Sequence, residues 1–409
     1  MGKAAGWCGS TGSNGSNGSN GSRGGYGWRR WGRAGLGVAL AAGVVVAGAA
    51  RAAAPAYRYQ ELPGLGGTIS EARAIGPTGL IAGFSQVTPG GDNHAVLWRD
   101  GVPLDLHPSG SAPISLAFDV NALGQVVGQV VATEPFGSVA VRWDPVGSAA
   151  PPLLVPLSGR GGGYAIAYGI NARGTAAGLT TPVDLLMPEA TVWRDELALG
   201  LPTLGGVSAE ARALNAAGVV VGASAPVDRF PRAATLWREG VPVALPELGA
   251  PDSTALAINE HGDAVGFARV PDGALHAALW PAGGGVLDLG ARIAPDTFSS
   301  AFGLNDRGQV VGQFGFTSAE LRAALWQDGR AVDLNTLIDP ALGARGLVLA
   351  AAFDIDERGA IVGAAFDTVT GVGQAYLLTP VPEPEALLLM APGLLLLALR
   401  ARAGRRRRR

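Results

Sequence analysis

The sequence predicts an all-β fold: a seven-bladed β-propeller of four-stranded blades, flanked by an N-terminal signal helix and a C-terminal hydrophobic helix. Three observations predict it. A glycine-punctuated unit recurs seven times, its apolar segments are too short for helices, and a segment at the start of the array supplies what the last unit lacks. The last glycine of a Gly-x-x-x-Gly core falls at 83, 128, 178, 222, 266, 312 and 363, in steps of 45, 50, 44, 44, 46 and 51 residues. An aromatic keeps the same rhythm at Trp98, Trp143, Trp193, Trp237, Trp280, Trp326 and Tyr376. Periods of about 40 to 50 residues belong to propeller blades or to paired-helix arrays. Strands are the better reading, because the apolar segments run about 4 to 7 residues, are rich in Val, Ile and Leu, and are bounded by Gly or Asn.

The cleanest copy lies between Val207 and Ala250, and it offers four strands in order: Ala211 to Leu214, Val219 to Gly222, Ala233 to Trp237 and Val241 to Leu245. Between the first two sits Asn-x-x-Gly, at Asn121, Asn171, Asn215, Asn259 and Asn305, with Asp356 in the seventh copy and Gly76 in the first. An Asn or Asp side chain caps the start of a turn and Gly supplies positive φ at its end, so this is a tight hairpin. A structural role for these asparagines outweighs a ligand-binding one, since near-identical turns recur along the whole array.

Length varies in one half of the unit only. From the Asn position to the aromatic the separations are 20 to 22 residues, whereas from the aromatic to the next Asn position they are 22 to 30. Insertions concentrate where function is carried, which points to the link between the fourth strand and the next first strand. Copy seven stops after its third strand, Ala375 to Leu378, while an unmatched fourth-strand segment, Tyr57 to Leu65, precedes copy one. Pairing the two closes a ring and leaves no open edge.

At these residues the chain resembles the HAF extracellular repeat family. Asn93 to Trp98 and His276 to Trp280 match its His-Ala-x-Leu-Trp segment, Leu62 to Gly67 and Leu201 to Gly206 its Leu-Gly-Gly segment, and Asp333 to Ile338 its closing blade. The resemblance covers roughly residues 57 to 380. His occurs in only two copies, and Val, Ala or Thr replaces the Phe of the family name. The resemblance implies a propeller-like surface domain of undefined ligand.

The chain ends divide the sequence into a leader (1–56), the repeat domain (57–380) and a tail (381–409). Residues 1–22 carry Gly-Ser-Asn triplets that cannot bury a core. Arg29, Arg30 and Arg33 then precede an apolar run from about Ala34 to Ala50 and a small-residue exit at Ala54-Pro55-Ala56, the pattern of a secretory signal peptide cleaved in the region of Ala54 and Ala56. Trp31-Gly32 after the paired arginines favours a plain charged n-region over twin-arginine export. In the tail, Pro382-Glu383-Pro384 is followed by an apolar run from Ala386 to Leu399 and by Arg400, Arg402 and Arg405 to Arg409. The arginines would hold the end of that run in the cytoplasm as a membrane stop, and at 14 residues against the roughly 20 of a full span they would need to snorkel. The arrangement resembles the PEP-CTERM sorting signal. That resemblance implies cleavage near Pro382 to Pro384 by an exosortase-type processing enzyme, in a Gram-negative, exopolysaccharide-producing host. A permanent single-pass anchor is the competing reading.

Charge and composition narrow the chemistry. From 57 to 382 there are 18 arginines against 31 acidic residues, a net charge of −13, which repels phosphate backbones and argues against nucleic acid. Cys8 and Lys3 are the only cysteine and lysine, and both precede the expected cleavage site, so the mature domain has no thiol or lysine chemistry. His94 and His276 share a repeat position and read as structural, and His107 and His261 carry no accompanying catalytic pattern. The six domain tryptophans all occupy the repeat's aromatic position and read as wedges between blades. Asp354-Ile-Asp356-Glu357 lacks the later bidentate Glu of a calcium loop and coincides with an ordinary hairpin. No metal, cofactor or catalytic residue is assigned. Asp119 and Asp354, with Arg73 and Arg212 one residue earlier in their copies, are the candidates for polar contacts in the central channel.

Two functional classes follow. The first is a non-catalytic, monomeric surface or matrix protein, exported and transiently held in the inner membrane by its C-terminal helix, that binds an exopolysaccharide or envelope component. The second is a secreted propeller enzyme acting on glycans as a hydrolase or lyase, which needs two carboxylates converging in the channel.

Overall fold

The computed structural model of the chain describes residues 56–381, apart from 109–112, 134–135, 146–151, 158, 160–162, 183–186, 228–230, 294–296, 316 and 318–319. These residues form 28 strands in six sheets. Five sheets have four strands, and the sixth has eight, in two antiparallel runs of four joined by a single parallel pair between Tyr164 and Ser138. Every four-strand run is antiparallel, and in all but one the neighbours are consecutive strands. The fourth repeat shows the pattern: Gly205–Leu214, Val220–Pro226, Ala233–Arg238 and Val241–Ala244. Its first strand begins six residues earlier than the sequence predicts, because Gly205, at a positive φ of 105°, pairs with Pro226 ahead of a register shift to Ala209.

The seventh run is assembled from both ends of the domain. Leu347–Ile355, Ile361–Asp367 and Gly373–Pro380 are its first three strands, and Tyr57–Glu61 is the fourth, antiparallel to Gly373–Pro380, with Glu61 opposite Tyr376. Each run packs on the next in chain order, and the last packs on the first, so the circuit of sheets is closed.

The aromatics hold these junctions. Trp98, Trp143, Trp193, Trp237, Trp280, Trp326 and Tyr376 are all at most 3 % exposed. Each lies among apolar side chains of its own repeat and the one before: Trp237 packs with Ala177 and Val192 of the third repeat, and Tyr376 with Val311 and Leu325 of the sixth. Among the described residues, four indoles also donate their N–H to a carbonyl of the preceding crossover, as Trp98 does to Pro63 at 2.8 Å and Trp237 to Pro202 at 2.7 Å. A buried ring with its polar atom satisfied combines a large apolar contact with a fixed orientation.

The asparagines do more than cap their own turns. Asn171 Oδ1 accepts from the amides of Arg173 and Thr175, as a turn cap should, while its Nδ2 donates to the carbonyl of Asn215 in the next repeat at 3.1 Å. The same step runs from Asn121 to Asn171, Asn215 to Asn259, Asn259 to Asn305 and Asn305 to Asp356. The long link into the seventh repeat carries helices that short-range patterning does not reveal, a 3₁₀ turn at Leu334–Thr336 and one α turn at Pro340–Ala344, with Asn335 tying the link to both backbone groups of Leu349.

Among the described residues no helix is long and apolar enough to cross a membrane. The expected signal helix, Ala54, Pro382, Glu383, Pro384, the hydrophobic helix and Arg400, Arg402 and Arg405 lie outside the described residues. Ala56 lies inside, its carbonyl accepting from the amide of Val381.

Candidate functional site, an axial pocket

Every first strand carries an irregularity at one position. The register shifts between Ala72 and Ala74, Ala117 and Asp119, Ala167 and Gly169, Ala211 and Ala213, Ala255 and Ala257, Ala301 and Gly303, and Ala352 and Asp354. A β-bulge leaves one residue unpaired and re-aims its side chain. The seven residues so placed, Arg73, Phe118, Tyr168, Arg212, Leu256, Phe302 and Phe353, are together the lining of one pocket of about 240 Å³. The residue before the bulge is Ala in every copy, but the bulged residues differ: three Phe, two Arg, one Tyr and one Leu.

The ring has an internal order. Phe302 packs against Phe353 at 5.5 Å between centroids, and the Arg73 guanidinium lies 4.4 Å above Phe353. On the other side, Phe118 packs against Tyr168 at 5.4 Å, and the Arg212 guanidinium lies 4.2 Å above Tyr168. Two arcs therefore each run from a phenylalanine through a second aromatic to an arginine, with Leu256 between them. Cations over aromatic faces are held electrostatically. Each is also paired with the acidic residue two positions earlier, Arg73 with Glu71 at 2.5 Å and Arg212 with Glu210 at 2.9 Å, and Arg232 joins Glu210 at 3.0 Å. The Nε of Arg73, shielded from solvent, has no hydrogen-bond partner among the described residues.

The deeper wall includes Asp119 and Asp354, so all four residues nominated from the sequence line the same cavity. Their roles differ. Asp119 accepts from the amide of Val120 through Oδ1 and from that of Ile170 in the next repeat through Oδ2, at 2.7 and 2.8 Å. Asp354 does the same with Ile355 and with Ile75 of the first repeat, at 2.8 and 2.9 Å. Both stitch neighbouring sheets at the axis. The second stitch falls at the closing seam, where Asp356 has no amide to donate and Gly76 no side chain to continue the asparagine series.

Burial pushes the Asp119 carboxyl up to about 7, with the charge of Asp354 adding to the rise and the Ile170 and Val120 amides opposing it. Burial likewise pushes Asp354 up to about 6, against the pull of the Ile75 and Ile355 amides. Each side chain keeps some exposure into the pocket but is otherwise walled in by protein.

The histidines stand apart from the axis. His94 and His276 hold equivalent fourth-strand partners, Asp105 at 2.9 Å and Asp288 at 3.0 Å, as expected of one shared position. His107 stacks on His94 at 3.8 Å and reaches Ser115 Oγ at 2.9 Å. Among the described residues no group of three or more His, Cys, Asp or Glu side chains is placed to hold a metal ion. Sequence reasoning identified the arginines and aspartates but missed the aromatic ring. The signal for it was the residue after the invariant Ala of each first strand, which changes among Arg, Phe, Tyr and Leu from copy to copy.

No family model matches the chain, and no curated protein sequence matches it. Among solved structures, the β-propeller domain of the Trilobed protease from Pyrococcus furiosus is similar, with a TM-score of 0.50 at 9% identity, over 76% of this chain and 92% of that one. That likeness shows the fold: this is an all-β chain with the β-propeller architecture. The Pyrococcus domain is described as having an open velcro topology, whereas here Tyr57–Glu61 pairs with the last strand of the domain. Weaker likenesses are to a lectin in complex with alpha methyl fucoside (TM-score 0.38, 12% identity, 65% of this chain and 95% of that one) and to a gluconolactonase from Xanthomonas campestris (TM-score 0.35, 12% identity, 80% and 90%).

Proposed function

We propose that the domain is a seven-bladed, non-catalytic binding propeller, exported and sorted to the cell surface or extracellular matrix, whose axial pocket takes a small unit of an exopolysaccharide or envelope component. One observation carries this reading: the bulged position, where the copies carry four different side-chain types, is the place where all seven meet. Divergence there is what a ligand site requires of a repeat array. Aromatic faces beside paired guanidinium and carboxylate groups suit the apolar ring faces and hydroxyls of a sugar. The PEP-CTERM and HAF resemblances supply the address, with an exosortase-type enzyme releasing the chain near Pro382 to Pro384 after the tail has halted in the membrane.

The test is a glycan array probed with the purified protein, with and without calcium, beside an Arg73→Ala/Arg212→Ala double variant. The reading expects retention of a defined set of glycans by the parent and its loss in the variant. Equal retention by both proteins, or none by either, would remove the axial site.

A second reading, a glycan-active enzyme, is favoured by one fact: two carboxylates with raised proton affinity line one pocket. Against it, all four of their oxygens are engaged by backbone amides. Polysaccharide turnover abolished by Asp119→Asn or Asp354→Asn in a folded protein would establish it.

A further inference from the structure

A second cavity lies away from the axis, between the third and fourth repeats, and the charges on its lining do not cancel. We propose that it binds a monoanionic, polyhydroxylated ring of the uronic acid class, with the carboxylate held by Arg173 and Arg194. The cleft measures about 560 Å³, within the roughly 300 to 1,000 Å³ of small-molecule sites. Its floor and one wall are apolar, from Leu199, Leu201 and the edge of Trp237, and the charged groups on its lining are Arg173, Arg194 and Glu239.

The two arginines are the unusual feature. Both are exposed, and neither side chain has an ion pair or hydrogen bond among the described residues, although the domain is strongly acidic and most of its other pocket-lining cations are paired. Arg173 follows the asparagine turn of the third repeat, and Arg194 follows that repeat's tryptophan, so two hairpins of one blade present both guanidinium groups to one cleft. Glu239, in the corresponding hairpin of the fourth repeat, faces them from the other side. The planar fork of Arg matches a carboxylate bidentately. With two cations and one anion the lining carries a single net positive charge, which suits one carboxylate and disfavours a phosphate dianion. Glu239 is left to accept from hydroxyls, and the leucines to cover a ring face.

The fold supplies its own control. A cleft at the equivalent place between the first and second repeats, about 370 Å³, sets Arg99 beside Asp100, and its charges cancel. Both clefts lie on the side of the asparagine hairpins. Antiparallel alternation puts this end of the blades opposite the variable links to which the sequence pointed. The inference is independent of the axial pocket.

Calorimetric titration of the full chain with glucuronic acid, glucose, acetate and inorganic phosphate tests it, using the parent and Arg173→Ala/Arg194→Ala. Glucuronic acid is expected to bind the parent and to bind at least tenfold more weakly to the Arg173/Arg194 variant, with glucose and acetate both weak. Because the altered arginines are exposed and unpaired, the melting curve of the variant should match the parent's, which separates lost binding from lost folding. An oligoglucuronide binding more tightly than the monomer would identify a polysaccharide as the source, and equal affinity a free acid. No glucuronic acid binding, binding indifferent to Arg173 and Arg194, or acetate or phosphate binding equally well would each overturn the proposal.

Discussion

At Gly222 a Cβ would lie 2.0 Å from the carbonyl oxygen of Glu210. The same clash, at 1.9 to 2.0 Å, would occur at Gly83, Gly128, Gly178, Gly266, Gly312 and Gly363. The cause is the bulge opposite: re-aiming Arg212 towards the axis turns the preceding carbonyl across the second strand, and only a hydrogen fits beneath it. The recurring glycine that makes the repeat visible in the sequence is therefore the partner of the bulge that builds the pocket. Gly222→Ala should cost about 3 kcal/mol, as backbone must move to admit the methyl group; a denaturation midpoint equal to the parent's would contradict the assigned register. The axial aspartates give a second residue-scale expectation. Folding raises the pKa of both, to about 7 and about 6, so the folded chain holds these protons more tightly than the unfolded one. Their contribution to stability is fully present below the ordinary carboxylate range and is lost as pH rises through 6 to 7. Urea midpoints at pH 5 and pH 8 should therefore differ less in Asp119→Asn/Asp354→Asn than in the parent, and an unchanged difference would show that other groups set the pH dependence.

Among the elements, the hairpin between first and second strands was the most legible in the sequence, because its chemistry is local: an Asx cap and a glycine at positive φ, 81° at Gly218. What the sequence could not show was the second use of the asparagine, since the carbonyl it reaches belongs to a residue 44 to 51 positions away. Asn215→Asp isolates that use. It keeps an oxygen for the Val219 amide, 3.1 Å away, but sets an acceptor against the Asn259 carbonyl where Nδ2 now donates at 3.2 Å. A loss of about 1 to 3 kcal/mol is expected from leaving that buried carbonyl opposed, measured by thermal denaturation, and no loss would return the asparagine to a purely local role. The natural Asp356 avoids the conflict, since no carbonyl is assigned to it and Arg358 donates to its Oδ2 at 2.8 Å. The helical turns of the link at 334–344 escaped the repeat pattern for the opposite reason: a single insertion has no second copy to align with.

At the scale of the whole repeat domain, the net charge of −13 over residues 57–382 and the closed circuit of sheets belong together. The closed array leaves only the short outer strands of its sheets as edges to neighbouring chains, and a strongly charged surface adds mutual repulsion. Closure itself was legible, because a surplus fourth strand at one end and a missing one at the other are visible without coordinates. The site was legible only in part. Arg73, Arg212, Asp119 and Asp354 could be named from their odd chemistry within the repeat, but Arg173 and Arg194 could not, because an arginine in a surface hairpin is ordinary until the neighbouring blade makes it one wall of a cleft. All of these placements depend on the first strand finishing the last sheet. Arg58 lies opposite Thr379 in that pairing, and opposed residues of paired strands fall within reach of a disulfide. In an Arg58→Cys/Thr379→Cys chain with Cys8→Ser, mild oxidation followed by mass analysis of tryptic peptides measures the pairing. Near-complete linkage of the two cysteines within one chain is predicted, and free thiols or links only between chains would contradict the closed ring.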